Sequence, residues 1–288
     1  MGLFDFFKKK KETTPPEAPQ EQQPPQRVQP QPVPKETVPK GNVLKTGLQK
    51  EEPAKKQTGL AEEEKIRLLD RLFNIPPDQR DEQWQEIVST HIAEAPFRAG
   101  EPKVMLGPDN FPYFVLQLPE AGAPFEKFTI TSMKDEFLLE KGFGVVINPR
   151  GKGVEWVFTY GDIVNFHLTG KFFSPRPQAA SEEKEVIQED EQILVAQPSE
   201  SYLPQQARAV LREHLVAHGF NDPQIFLMVR QKPGGEVQEL AFNLAQDQFP
   251  SREQQAKLMR SLGWFLPRHY SFVSFATNEG LEQNFMPL

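Results

Sequence analysis

The sequence predicts an α+β protein: two α+β domains after a disordered N-terminal arm, the second a ferredoxin-like βαββαβ sandwich. Three observations predict it. Composition changes abruptly near Leu60, from proline and glutamine to periodic apolar residues. From 60 to 173, helical spacing gives way to short alternating runs. From 192 onward the order strand, helix, strand, strand, helix, strand is the split βαβ pattern.

Residues 1–11, MGLFDFFKKKK, place Leu3, Phe4, Phe6 and Phe7 before Lys8, Lys9, Lys10 and Lys11. A secretory signal has its charge first and a longer apolar run after it, so this segment is not one. It is also too short to span a bilayer, which takes about 20 apolar residues. Its chemistry suits the surface of an anionic membrane, the aromatics entering the headgroup boundary and the lysines meeting lipid phosphate. A start that binds nothing is the alternative. Gly2 lacks the downstream Ser or Thr of a myristoylation site, Phe6 standing in its place.

Residues 12–59 are expected to be a disordered linker. From Glu12 to Thr58 the chain holds 10 of its 28 prolines and 8 glutamines, and such a composition cannot bury enough surface to offset chain entropy. Pro16-Glu17-Ala18-Pro19 has PxxP spacing, which arises by chance in so proline-rich a stretch.

The first domain is placed at 60–173. Ile66, Leu68, Leu69, Leu72 and Phe73 fall at helical spacing before Pro76-Pro77, and Trp84, Ile87, Val88 and Ile92 predict a second helix. Lys103–Leu106, Tyr113–Leu118 and Phe125–Thr131 read as strands, the first two separated by the turn Gly107-Pro108-Asp109-Asn110. Ser132 with Asp135 reads as a capping box for a helix closed by Gly142. Strands Gly144–Asn148 and Val154–Tyr160 follow, then a helix from Ile163 capped by Asp162 and ended by Gly170.

Residues 174–191 form an acidic linker, and 192–288 the second domain. Ile193–Ala196, Gln224–Arg230, Val237–Asn243 and Tyr270–Ala276 are expected strands. Leu203–His218 and Ser251–Phe265 are expected helices, the latter opened by Ser251 with Gln254.

Charge and cysteine usage narrow the function classes. Residues 1–60 carry 11 Lys/Arg against 7 Asp/Glu, while the remainder carries 22 against 33, so an arm of net +4 precedes a body of net −11. A body of that sign is poorly suited to phosphate backbones, and no nucleic-acid partner is expected. The chain has no cysteine, which removes disulfides, thiolate metal sites and cysteine nucleophiles together and suits the cytoplasm.

Several motifs point toward chemistry. KGFGVVIN, Lys141 to Asn148, meets five positions of the RNA-recognition signature, yet Val145 and Asn148 stand where stacking aromatics belong, and a helix directly precedes it. A helix cap running into a buried strand is the expected structure. Gly142-x-Gly144 and Gly151-Lys152-Gly153 lack the further residues of a phosphate cradle. His214 and His218 have the i, i+4 spacing of metal ligands, but Leu215 follows the first histidine where a zinc protease has Glu. Both fall in the stripe of Leu203, Ala207, Val210 and Leu211, so semi-buried structural histidines are expected, with no metal and no cofactor. No G-x-S-x-G elbow is present.

The strand and turn Ile193-Leu194-Val195-Ala196-Gln197-Pro198, the helix entry Leu203-Pro204, the strand Ile225–Val229 and the short apolar tail resemble the C-terminal domain of the SseB family, the enhanced-serine-sensitivity proteins. The resemblance covers about 192–288, and the tail Phe-Met-Pro-Leu departs from the more usual aromatic-rich end. It implies a bacterial cytoplasmic protein and carries no catalytic residue over.

The expected function is therefore that of a non-enzymatic, adaptor-like protein that binds another protein, peripheral to the membrane through its N-terminus. Phe285, Met286 and Leu288 are the candidate partner contacts, because exposed apolar ends mark interaction surfaces. The rival is an enzyme or small-ligand binder with a site between the two domains.

Overall fold

The computed structural model describes residues 60–120, 122–148, 153–175, 193–232, 235–275 and 281–288. The expectations for residues 1–59 and for most of the acidic linker lie outside these. The described chain mixes helices and strands, as the α+β class requires.

The first lobe opens with α1 (Glu62–Phe73) and α2 (Glu82–Ile92). Three glutamates in the first turn of α1 suit the positive end of its dipole, and Leu69, Leu72 and Phe73 bury its apolar stripe. Asp81 caps α2 by accepting the Trp84 N–H at 2.8 Å. The Trp84 indole then donates to the Leu72 carbonyl at 2.8 Å, tying the second helix to the end of the first. Arg80 fastens the same corner, donating to the carbonyls of Phe73 and Ile75 and to Glu155, each within 2.9 Å.

A four-stranded sheet follows in the order β1 (Arg98–Leu106), β2 (Pro112–Gln117), β3 (Gly144–Ile147) and β4 (Trp156–Phe158). β2 and β3 are parallel, which demands a crossover; α3 (Ile130–Met133), a π turn over Lys134–Leu138 and α4 (Leu139–Lys141) supply it. Gly142 ends the crossover at φ 68°, and β3 is buried at all four residues. α5 (Tyr160–Thr169) completes the lobe.

Three local expectations are corrected here. Phe125–Thr131 is not a strand, since it contributes a single bridge between Phe128 and Phe97. The hydroxyl of Thr129 instead accepts the Ser132 N–H at 3.2 Å, so Thr129 caps α3 and Ser132 lies inside the helix. Likewise Asp162 does not begin α5. Thr159 is the cap, and the two residues form a reciprocal box in which each side chain accepts the other's backbone N–H, at 3.2 and 2.9 Å.

The second lobe runs β5 (Ile193–Ala196), α6 (Gln205–Ala217), β6 (Gln224–Lys232), β7 (Gly235–Phe242), α7 (Arg252–Phe265) and β8 (Ser271–Ser274). The order βαββαβ is the expected one, and Ser251 caps α7 as anticipated, accepting the Gln254 N–H at 3.2 Å. The sheet itself runs β5-β6-β7-β8, so β5 and β6 are adjacent and antiparallel. A split βαβ would separate them by another strand, and in that respect the sheet departs from the ferredoxin-like expectation. A last short strand, β9 (Met286–Pro287), pairs with β6 beyond the end of β5.

All described residues fall in one compact unit, and one buried cluster draws on both lobes, from Leu69 to Leu266. The seam is close. A Cβ on Gly142 would lie 2.6 Å from Val210 of α6, and one on Gly161 would lie 2.0 Å from the Leu266 carbonyl oxygen. Beside it Arg268 donates twice to the fully buried Asp162, both bonds at 2.7 Å, while its guanidinium lies over the Phe173 ring. The outer face of the second sheet carries a smaller cluster of Phe226, Met228, Ala241 and Phe275.

Candidate binding cleft

Where the two lobes meet at the surface, a cleft of about 1200 Å³ opens between the β1–β2 turn and the faces of α6 and α7. The turn forms its first wall. Asp109 holds the turn by accepting the Phe111 N–H at 3.1 Å, and Asn110 takes the left-handed conformation at φ 64° that asparagine tolerates. This projects Phe111 across the seam, where it stacks on Trp264 with centroids 4.4 Å apart and meets Phe265 edge-on at 5.3 Å.

A hydrogen-bonded chain backs that wall. The Trp264 indole N–H donates to the Tyr113 hydroxyl at 2.7 Å, which donates to Asp109 at 2.6 Å. Burial first, and then its bond to Asp109, push the Tyr113 hydroxyl well above the usual phenol range, so it stays protonated and keeps the chain intact. Three residues from both lobes thereby become one unit.

The opposite wall is α6 and α7, joined by His214 and Ser261, whose Nε2 and Oγ lie 2.8 Å apart. Burial, with a smaller contribution from His218, pushes His214 down to about 3, so it is neutral near pH 7. The Ser261 hydroxyl donates to the Leu258 carbonyl at 2.6 Å. Its single proton is thus committed, and His214 must be the donor through Nε2–H. A base that activates serine needs the reverse polarity. The pair is a helix-to-helix crosslink.

His214 is buried as expected, whereas His218 is exposed, at the end of α6 rather than in its apolar stripe. His218 Nδ1–H donates to the His214 carbonyl at 2.8 Å, satisfying a helix terminus. Among the described residues no three His, Asp or Glu side chains gather as metal ligands.

The cleft rim is polar. Lys257 and Arg260 are exposed on α7, and neither makes an ion pair or hydrogen bond among the described residues. The two carboxylates of the cleft differ. Asp109 accepts from Tyr113 and Phe111, and Asp222 from the Gln224 amide at 2.7 Å. Phe220 and Phe249 pack with centroids 4.9 Å apart and give the rim an apolar end. A second, shallower recess of about 670 Å³ lies beside Arg80, Trp84, Trp156 and Arg268.

The sequence-predicted partner contacts are folded onto the second lobe. Phe285 packs on Phe226 at 4.7 Å, and the Leu288 N–H donates to the Pro223 carbonyl at 3.0 Å, leaving Met286 half exposed. Leu3, Phe4, Phe6, Phe7 and Lys8 to Lys11 lie outside the described residues. No helix among those described is long and apolar enough to cross a membrane. The strand within KGFGVVIN is buried, which denies it the open face that RNA stacking needs.

The sequence pointed to a site between the two domains only under the rival reading, and of the cleft's lining it singled out only His214 and His218 as candidate site residues. Gly107-Pro108-Asp109-Asn110 was legible as a turn, but its capture of Tyr113 and Trp264 joins residues far apart in the chain. The spacing of Gln254, Lys257, Leu258 and Ser261 along one helical face was the available signal for the second wall. Comparison with protein-family models, with curated proteins and with solved structures finds no match to this chain.

Proposed function

We propose that this chain is a non-enzymatic binding protein that holds a segment of another protein in the cleft between the β1–β2 turn and α7. The observation that carries the reading is the division of polar groups at the cleft. His214, Ser261, Tyr113 and Asp109 are spent on bonds that fix the walls, while Lys257 and Arg260 on the rim have no ion-pair or hydrogen-bond partner among the described residues. Groups committed in this way build a rigid recognition surface rather than a reaction center. The cleft is also open and larger than the roughly 300–1,000 Å³ of small-molecule pockets, which suits a polypeptide segment.

The resemblance of 192–288 to the SseB C-terminal domain supports the same reading, since it brings no catalytic residue. A bacterial cytoplasmic location is part of the proposal on that ground. Contact of residues 1–11 with anionic membrane is a separate part, and equal flotation of the full-length chain and a chain lacking those residues with anionic liposomes would remove it. An enzyme or small-ligand site ranks second, because the cleft lies where the two lobes meet.

The absence of cysteine offers a clean test. Gln254→Cys places one thiol on the cleft face of α7, and a bulky maleimide adduct there fills the cleft. Affinity capture from native lysate should recover a saturable protein partner on the full-length wild-type and unlabelled variant chains, and lose it on the labelled one. A partner retained equally by the labelled chain would overturn the cleft as the recognition site.

A further inference from the structure

We infer that the cleft selects an acidic, extended peptide segment, with two carboxylates two residues apart and an apolar side chain nearby. The inference rests on the proposed cleft reading and adds the chemistry of the partner. Water solvates an exposed cation, but two neighbouring cations on one concave face draw negative charge toward it. Asp109 and Asp222 accept hydrogen bonds from neighbouring protein donors. These donors are neutral and leave the carboxylate charge in place, but Lys257 and Arg260, three residues apart on α7, find no partner among the described residues, so that stretch of the rim favours negative charge.

Geometry sets the spacing. Residues three apart on a helix lie on one side with Cβ atoms about 5–6 Å apart. Alternate side chains of an extended strand fall on one side at about 6.8 Å, twice the rise of about 3.4 Å per residue. An acidic-x-acidic stretch thus presents one carboxylate to each cation. Phe220 and Phe249, both half-buried, offer the apolar contact at the other end of the cleft. The body as a whole is acidic, but at physiological ionic strength charges are screened beyond about 8 Å, so the local cations govern recognition.

The test uses full-length protein and three fluorescent twelve-residue peptides of one apolar framework, carrying Glu, Gln or Lys at the two charged positions. The Glu peptide should bind about tenfold or more tighter than the Gln peptide, with weakening as salt is added. The double variant Lys257→Gln/Arg260→Gln should abolish that preference without changing the unfolding midpoint. The maleimide adduct at Gln254→Cys should displace the peptide. Equal binding of Glu, Gln and Lys peptides, all displaced by the adduct, would overturn the acidic preference and leave the cleft reading standing. Binding that the adduct does not disturb would overturn both.

Discussion

The two ends of α7 behave as opposites. At its C-terminal end Leu262, Trp264 and Phe265 are buried against the first lobe, and the chain just beyond it meets Gly161 so closely that no side-chain carbon fits between them. From its first turn to just past its middle, Gln254, Lys257 and Arg260 face an open cleft. One end is specified by shape and paired charge, the other by what it leaves unpaired. A cleft with walls from two lobes keeps its form only if the lobes cannot shift, so the tight seam is the precondition of the open site.

The seam should break most severely at Gly161. Alanine has the higher helix propensity, by about 1 kcal/mol, but its Cβ would overlap a backbone carbonyl that no rotamer change can move. Gly161→Ala is therefore expected to destabilise by more than the about 1–3 kcal/mol of ordinary over-packing, as measured by denaturant unfolding. Stability equal to or above that of wild type would mean that the seam yields.

Asp162→Asn should follow. It removes the charge from a fully buried carboxylate that both accepts from Arg268 and closes the box on Thr159. Breaking buried pairs typically costs about 3–5 kcal/mol, and the half-exposed Arg268 reduces the expectation to about 2–3 kcal/mol. Cleft binding should weaken in parallel although Asp162 does not line the cleft.

His214 contributes a pH dependence of definite sign. Its folded value of about 3 lies below the ordinary histidine value of 6.5, so between these the unfolded chain takes up a proton that the folded chain refuses. Stability is unaffected above about pH 6.5 and falls as pH drops through that window, by at most about 1.4 kcal/mol per unit. His214→Gln should flatten the acid limb of a stability profile. Ser261→Ala should cost about 1–2 kcal/mol at neutral pH by leaving the imidazole N–H unpaired.

The smallest effect on stability is expected on the cleft face of the same helix. Lys257→Gln and Arg260→Gln should each change the unfolding free energy by less than about 0.5 kcal/mol, because they remove no hydrogen bond or ion pair among the described residues. A larger loss would show that these cations are already paired.

Most elements were legible in the sequence because periodicity and caps are local signals. The α7 start at Ser251, the buried strand after Gly142 and the order of the second lobe are such cases. Caps shifted where two candidates lay close together, as with Thr129 before Ser132 and Thr159 before Asp162. In each case the earlier residue caps and the later one sits at N3. The strand order of the second sheet was not legible, since pairing across a helix leaves no local mark. Nor was the seam: Gly161 and Asp162 look like ordinary first-turn residues, and only the approach of Leu266 and Arg268 gives them their role. The placement of the apolar tail was not legible either, because a segment that folds back on its own sheet has the same composition as one that awaits a partner.

The claim that one rigid body holds the cleft is most directly tested by native-state hydrogen exchange on full-length wild type and Asp162→Asn. If the seam couples the lobes, amides of α5 and α7 lose protection together and by the same free energy in the variant. If α5 loses protection while α7 keeps its wild-type exchange, the lobes open independently and the account of the cleft fails.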